Sequence, residues 1–220
     1  MKTFTIQLIK YYKPHQFIFI NFLAHAYLSF KDPGILLGNM ISDFVKGKKK
    51  FAFPPDIQKG IALHRAIDMF TDSNEATRNA KEIFRPHYRL YSGALVDVVY
   101  DHFLATDETE FTDPVLLEFS LQVYTTIDNY LHWLPEKFAL MYPYMKEYNW
   151  LYNYHTRWGA EKSLQGVVRR AAYLNESETA FHLFEEHYQP LQFFFRQLWS
   201  DLKPFAYHQY KKLNIEDAKY

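Results

Sequence analysis

Apolar residues recur at three- and four-residue intervals along most of the chain, and strictly alternating runs bounded by turn signals are scarce. This periodicity predicts helices over about residues 21–30, 35–46, 56–71, 74–85, 88–105, 114–132, 135–147, 160–172 and 177–210. The punctuation between them agrees. Lys31-Asp32-Pro33-Gly34 reads as a turn, and Pro54-Pro55-Asp56 ends a loop with an N-cap before the next helix. Thr112-Asp113-Pro114 reads the same way, with proline at the first helical position. In the last segment Phe193, Phe194, Phe195 and Leu198, followed by Trp199, form an apolar face expected to pack across the other helices. The first twenty residues differ: Thr3-Phe4-Thr5-Ile6 and Tyr11-Tyr12-Lys13-Pro14 suit a short strand or an ordered arm. With no internal repeat or linker, the reading is an all-α, single-domain bundle over 21–210, an N-terminal extension over 1–20 and a C-terminal tail over 211–220.

Composition narrows the class. The chain has 220 residues, enough for one large domain with a substantial core. Aromatic residues reach 19%, which points to a core rich in rings. Formal net charge is zero, so no overall electrostatic footprint for nucleic acid exists and any charge recognition must be local. The absence of cysteine excludes disulfides, thiolate zinc sites and a cysteine nucleophile. No run reaches the about 18 to 20 apolar residues of a membrane-spanning helix. Phe17 to Ala24 is short for a signal-peptide core and is interrupted by Asn21, so a cytoplasmic protein is expected.

The candidate chemistry lies in five short segments that bring His and Asp into apolar surroundings. They are Asn21-Phe22-Leu23-Ala24-His25-Ala26, Gly38-Asn39-Met40-Ile41-Ser42-Asp43-Phe44, His64-Arg65-Ala66-Ile67-Asp68, Thr71-Asp72, and Asp97 through Phe103. At about 3.6 residues per turn, His64 and Asp68 share a helix face, as do Asp97 and Asp101. Two carboxylates one turn apart in an apolar stretch need a partner, and a cation is the economical one. Each piece also has a plain structural explanation. His64 and Asp68 could be a surface pair, Asp72 could cap or turn the chain, and Asp43 could be solvated. Oxygen and imidazole donors without thiolate suit Mn, Mg or Fe rather than a structural zinc site. Arg65 and Lys46, nearby in sequence, could hold phosphate oxygens.

These segments resemble the acyl carrier protein phosphodiesterase family, a divergent branch of the HD-type phosphohydrolases. The matching stretches are Asn21 through Leu28, Leu37-Gly38-Asn39 through Asp43-Phe44-Val45-Lys46-Gly47, Pro54-Pro55, Gly60-Ile61, His64-Arg65, Ile67-Asp68, Phe70-Thr71-Asp72 and Asp101-His102-Phe103-Leu104. The resemblance implies an HD-like helical bundle that removes 4'-phosphopantetheine from a serine of holo-acyl carrier protein with a divalent metal, usually manganese. Mapped onto this chain, it implies His25, Asp43, His64, Asp68 and Asp101 as metal ligands. Asp97 or His102 would orient water or protonate the leaving serine oxygen, Arg65 would clamp the phosphate, and Asp72 would stand at the substrate. Two departures accompany it. The chain has no His-Asp dipeptide, only the reversed Asp101-His102, and residues 1–20 have no family counterpart.

Acyl carrier proteins are acidic, so an enzyme acting on them should carry a local basic patch. Lys46-Gly47-Lys48-Lys49-Lys50 is such a patch, though a solvated loop with helix-terminal lysines explains it equally. Arg169 and Arg170 are open to the same two readings. Three other functions compete: a metal-dependent hydrolase of nucleotides or another small phosphoester, a non-catalytic module for an acidic protein, and a metal-stabilised structural bundle. No glycine-rich phosphate loop favours the nucleotide.

Overall fold

The computed structural model describes residues 21–170 and 178–215. The expectations for residues 1–20 and for the last turn of the helix at 160–172 therefore lie outside the described residues. The described chain is all α. Eleven α-helices follow in order: α1 (Phe22–Tyr27), α2 (Pro33–Ile41), α3 (Pro55–Ser73), α4 (Glu75–Tyr88), α5 (Ser92–Ala105), α6 (Asp113–Asp128), α7 (Glu136–Glu147), α8 (Trp150–Asn153), α9 (Arg157–Arg170), α10 (Glu178–Glu186) and α11 (Tyr188–Ile215). Short 3-10 turns occupy Ser42–Phe44, Gly47–Ala52, Arg89–Tyr91 and Leu131–Trp133. None of these helices is long and apolar enough to cross a membrane.

The punctuation residues act where the sequence places them. Asp32 caps α2 by accepting the Ile35 N–H at 3.1 Å, with Pro33 opening the helix. Asn74 alone separates α3 from α4, and its side chain accepts the Ala76 N–H. Three expectations need correction. The helix expected over 35–46 ends at Ile41, and Asp43 stands on the following 3-10 turn. The segment expected as one helix over 177–210 is two, because Pro190 has no N–H for the Glu186 carbonyl and its ring would collide with it. The second of these runs past residue 210 to Ile215, into the segment read as a tail.

The α2–α3 crossing positions the site. A Cβ on Gly38 would run into the Ile57 carbonyl and Gly60 Cα, and one on Gly60 would run into the Ile35 carbonyl and Gly38 Cα. The two backbones therefore touch, which brings Asn39 and His64, neighbours of that contact, within bonding reach. Helix α5 runs through the core, with Leu95, Val96, Val98, Val99 and every residue from Tyr100 to Ala105 buried. Helix α11 packs across α3, α4 and α5. Its Phe195, Leu198 and Trp199 are buried as the apolar face requires, whereas Phe193 points to solvent. Rings do fill much of the core: Phe103, Phe184, Tyr188 and Phe195 contact one another around α5.

Candidate metal centre

Helix α1 is only six residues long and receives no side-chain cap from Asn21. Asp101 on α5 supplies the cap instead. Its two carboxylate oxygens accept the N–H groups of Leu23 at 3.0 Å and Ala24 at 2.9 Å. A negative charge at a helix N-terminus is favourable, and here it fixes the helix that carries His25. Burial pushes the Asp101 carboxyl well above the usual range against the pull of these two amides.

His25 from α1 and His64 from α3 are buried and stack face to face, ring centres 3.9 Å apart. Both are held by one residue of α2. Asn39 Oδ1 accepts His25 Nδ1–H at 2.7 Å, while the Asn39 backbone carbonyl accepts His64 Nδ1–H at 2.7 Å. The orientation of the Asn39 amide follows from its other bonds, since Nδ2 donates to the His25 carbonyl and to Ser29 Oγ. Each imidazole thus uses Nδ1 as its donor, which leaves Nε2 with a lone pair.

Those lone pairs face carboxylates. Asp68 Oδ1 lies 3.2 Å from His25 Nε2, and its Oδ2 lies 3.1 Å from His64 Nε2. Asp43 Oδ1 lies 3.3 Å from His64 Nε2. Both Nε2 atoms are buried and have no neighbour to satisfy them beyond these carboxylates. A lone pair pressed against a carboxylate is repulsive, and only a proton or a cation between them relieves it. One ligand atom each from His25, His64 and Asp68 lies within 4.8 Å of the others, an arrangement that fits a single divalent cation. Asn39 and Ser29 then act as the hydrogen-bonded shell that orients the imidazoles.

The charges follow. Burial, with His64 alongside, lowers the His25 pKa. Burial alone would lower that of His64 too, but Asp43 and Asp68 outweigh it and raise His64 to about 10. Asp68, which burial would raise, is held well below the ordinary carboxylate range by His25 and His64. The cluster therefore keeps a proton on His64 when no cation is bound.

The remaining sequence candidates divide. Asp97, one turn before Asp101, lines a cleft of about 780 Å³ together with Asp72, Lys81 and Arg89. Burial, then the charges of Asp68 and Asp72, raise its carboxyl to about 8. Arg65 projects from α3 beside the cluster and donates to the Val45 carbonyl at 3.1 Å. Lys46, Lys48 and Lys49 are exposed, and Lys50 lies over the Phe51 ring. Three others sit differently from expectation. Asp101 spends both oxygens on the α1 amides and is not among the atoms gathered around His25 and His64. His102 points away, its Nδ1–H donating to the Tyr154 carbonyl at 2.8 Å and its Nε2 meeting the Tyr188 hydroxyl at 3.0 Å. The step of about 100° per residue turns His102 off the face of α5 that brings Asp101 to α1. Asp72 is exposed and paired with Lys81 at 2.6 Å. Sequence reasoning missed Asn39 as the common support, although a lone amide in the apolar run Gly34 to Ile41 was the available signal.

Comparison with known proteins agrees with these segments. The family model described as acyl carrier protein phosphodiesterase matches residues 20–202. A protein of that name from Yersinia pestis is 32% identical over 191 residues, which span 86% of this chain and 99% of that protein. One from Photorhabdus laumondii is 30% identical over 82% of this chain and 91% of its own length. One from Escherichia coli O6:H1 is 32% identical over 82% of this chain and 94% of its own. No solved structure gives a significant match.

Proposed function

The chain belongs to the acyl carrier protein phosphodiesterase family, and from that premise we propose that it hydrolyses the phosphodiester between 4'-phosphopantetheine and a serine of holo-acyl carrier protein. The observation that carries the reading is the pair of buried Nε2 atoms turned toward Asp68 and Asp43 with no other partner. His25, His64 and Asp68 would hold a divalent cation, manganese first and magnesium or iron next, and Asp43, beside His64, would add a further carboxylate. Such a cation offsets charge on phosphoryl oxygens and acidifies water.

The chain's own groups do the rest. Arg65, fixed by the Val45 carbonyl, offers a planar guanidinium to phosphate oxygens. Water adds to phosphorus and gives its proton to solvent. The bond to the serine oxygen breaks with its electron pair on that oxygen. Asp97, protonated near neutral pH because burial and neighbouring carboxylates disfavour its charge, protonates it. The exposed lysines at 46, 48 and 49, with half-buried Lys50, would meet the acidic carrier protein. Asp101 and His102 hold the scaffold in this reading: one caps α1 and the other ties α5 to Tyr154 and Tyr188.

Mass spectrometry of holo-acyl carrier protein, incubated with this protein and Mn2+, tests it. Loss of the phosphopantetheine mass is expected, and neither a chelated sample nor His64→Ala should cause it. An intact carrier protein after incubation with folded, metal-loaded protein would overturn the assignment and turn attention to nucleotide phosphoesters.

A further inference from the structure

A groove of about 620 Å³ opens beyond Asp43, between the 3-10 segment at 47–52 and the start of α7. Its walls are apolar: Phe44, Ala52, Phe53 and Pro135. Two of those walls are rigid, since Phe44 packs edge-on to buried Phe138 and Phe53 packs against Trp133. Three cations, Lys46, Lys49 and Lys137, and one carboxylate, Glu136, stand on the rim. Asp43 belongs both to this groove and to the His64–Asp68 cluster, so the groove begins at the candidate metal centre.

We propose that this groove seats the pantetheine arm, with the phosphate at the Asp43 end and the uncharged chain along Phe44, Phe53 and Pro135. The assignment rests on the phosphodiesterase reading and adds to it a place for the substrate. Charge complementarity selects the occupant. Among the described residues none of Lys46, Lys49 and Lys137 is paired with a carboxylate, and three cations against Glu136 leave the rim net positive toward a phosphate. The walls suit a chain of methyl, methylene and amide groups rather than a second charged moiety. The cleft at Asp97 is the worse seat for such a ligand. Of its cations, Lys81 is already paired with Asp72 and Arg85 with Glu82, which leaves Arg89 alone against the cleft's own carboxylates, Asp72 and Asp97.

The test uses free 4'-phosphopantetheine as the probe and calorimetric titration of the Mn2+-loaded full chain. Ala52→Trp fills the groove from an exposed position, and Lys137→Glu reverses the rim charge at the exposed start of α7 without touching the core. Each is expected to weaken binding at least tenfold, with a matching rise in KM for holo-acyl carrier protein, provided that its melting temperature stays that of the wild type. In the wild type, bound Mn2+ should broaden the phosphorus signal of the probe more than the protons at its thiol end. Wild-type affinity in both folded variants would overturn the groove, as would a wild type that fails to bind the probe. Binding lost in the variants while wild type leaves holo-acyl carrier protein uncleaved would keep the groove and sink the hydrolytic reading instead.

Discussion

Asn39 Oδ1 receives His25 Nδ1–H at 2.7 Å, and so the tautomer of a buried imidazole on α1 is decided by a side chain on α2. The same residue's backbone carbonyl does this for His64 on α3. Three helices therefore meet at one residue, and both Nε2 lone pairs are turned toward Asp68 as a consequence.

Asn39→Ala should lower Mn2+ affinity by about 10- to 100-fold, the usual cost of removing a ligand's hydrogen-bond partner. Calorimetric titration of the metal measures this directly, independent of any substrate. Unchanged affinity would mean that the imidazoles need no support from α2.

A cation that relieves the His25–Asp68–His64 contacts stabilises the fold. At a metal concentration a thousandfold above the dissociation constant, linkage adds about 4 kcal/mol, which raises the melting temperature by about 10 °C in a chain of this size. Chelation should reverse the gain, and Asp68→Ala should abolish it. A melting curve indifferent to metal would count against the centre.

Asp97 links stability to pH. Its carboxyl, ordinarily near 3.8, is raised to about 8 in the folded protein. Between these values the folded state holds a proton that the unfolded state has lost. Stability from this group is thus full below about pH 4 and falls as pH rises through about 8. In the metal-free protein, Asp97→Asn should melt above the wild type, by a margin that widens across that window. Turnover should fall about 100-fold or more if Asp97 supplies the proton. A constant margin would show that Asp97 is already ionised in the fold.

The α2–α3 contact tolerates no side chain. Gly60→Ala forces a Cβ against the Ile35 carbonyl and Gly38 Cα. It should cost about 3 kcal/mol, measurable by urea denaturation. It should also weaken metal binding, because the crossing sets Asn39 against His64.

His102 separates scaffold from chemistry. His102→Gln should cost about 2 to 4 kcal/mol through lost ring packing and the Tyr154 and Tyr188 bonds. The kcat of the variant should stay within a few-fold of wild type at a temperature where both are folded. A large loss of kcat alone would return His102 to the reaction.

Most of the helices were legible in the sequence because burial of an apolar face imposes its period on the residues themselves. His64 and Asp68 were legible as a pair for the same reason, one turn of one helix. The helix break before Pro190 had a signal in that proline, which the reading of one helix over 177–210 passed over; the 3-10 turn that carries Asp43 had none, since no glycine or proline marks the end of the helix at Ile41. The motif also offered Asp101 and His102 as adjacent candidates with nothing to separate their roles. What separates them is the rotation of α5: one side chain meets the bare N-terminus of α1, and the other enters a nest of rings around Tyr188. Residue types and their spacing thus determined the helical class and the supply of oxygen and imidazole donors. Tertiary structure decided which donors converge, because convergence depends on how far two helices can approach, and here two glycines let α2 and α3 touch.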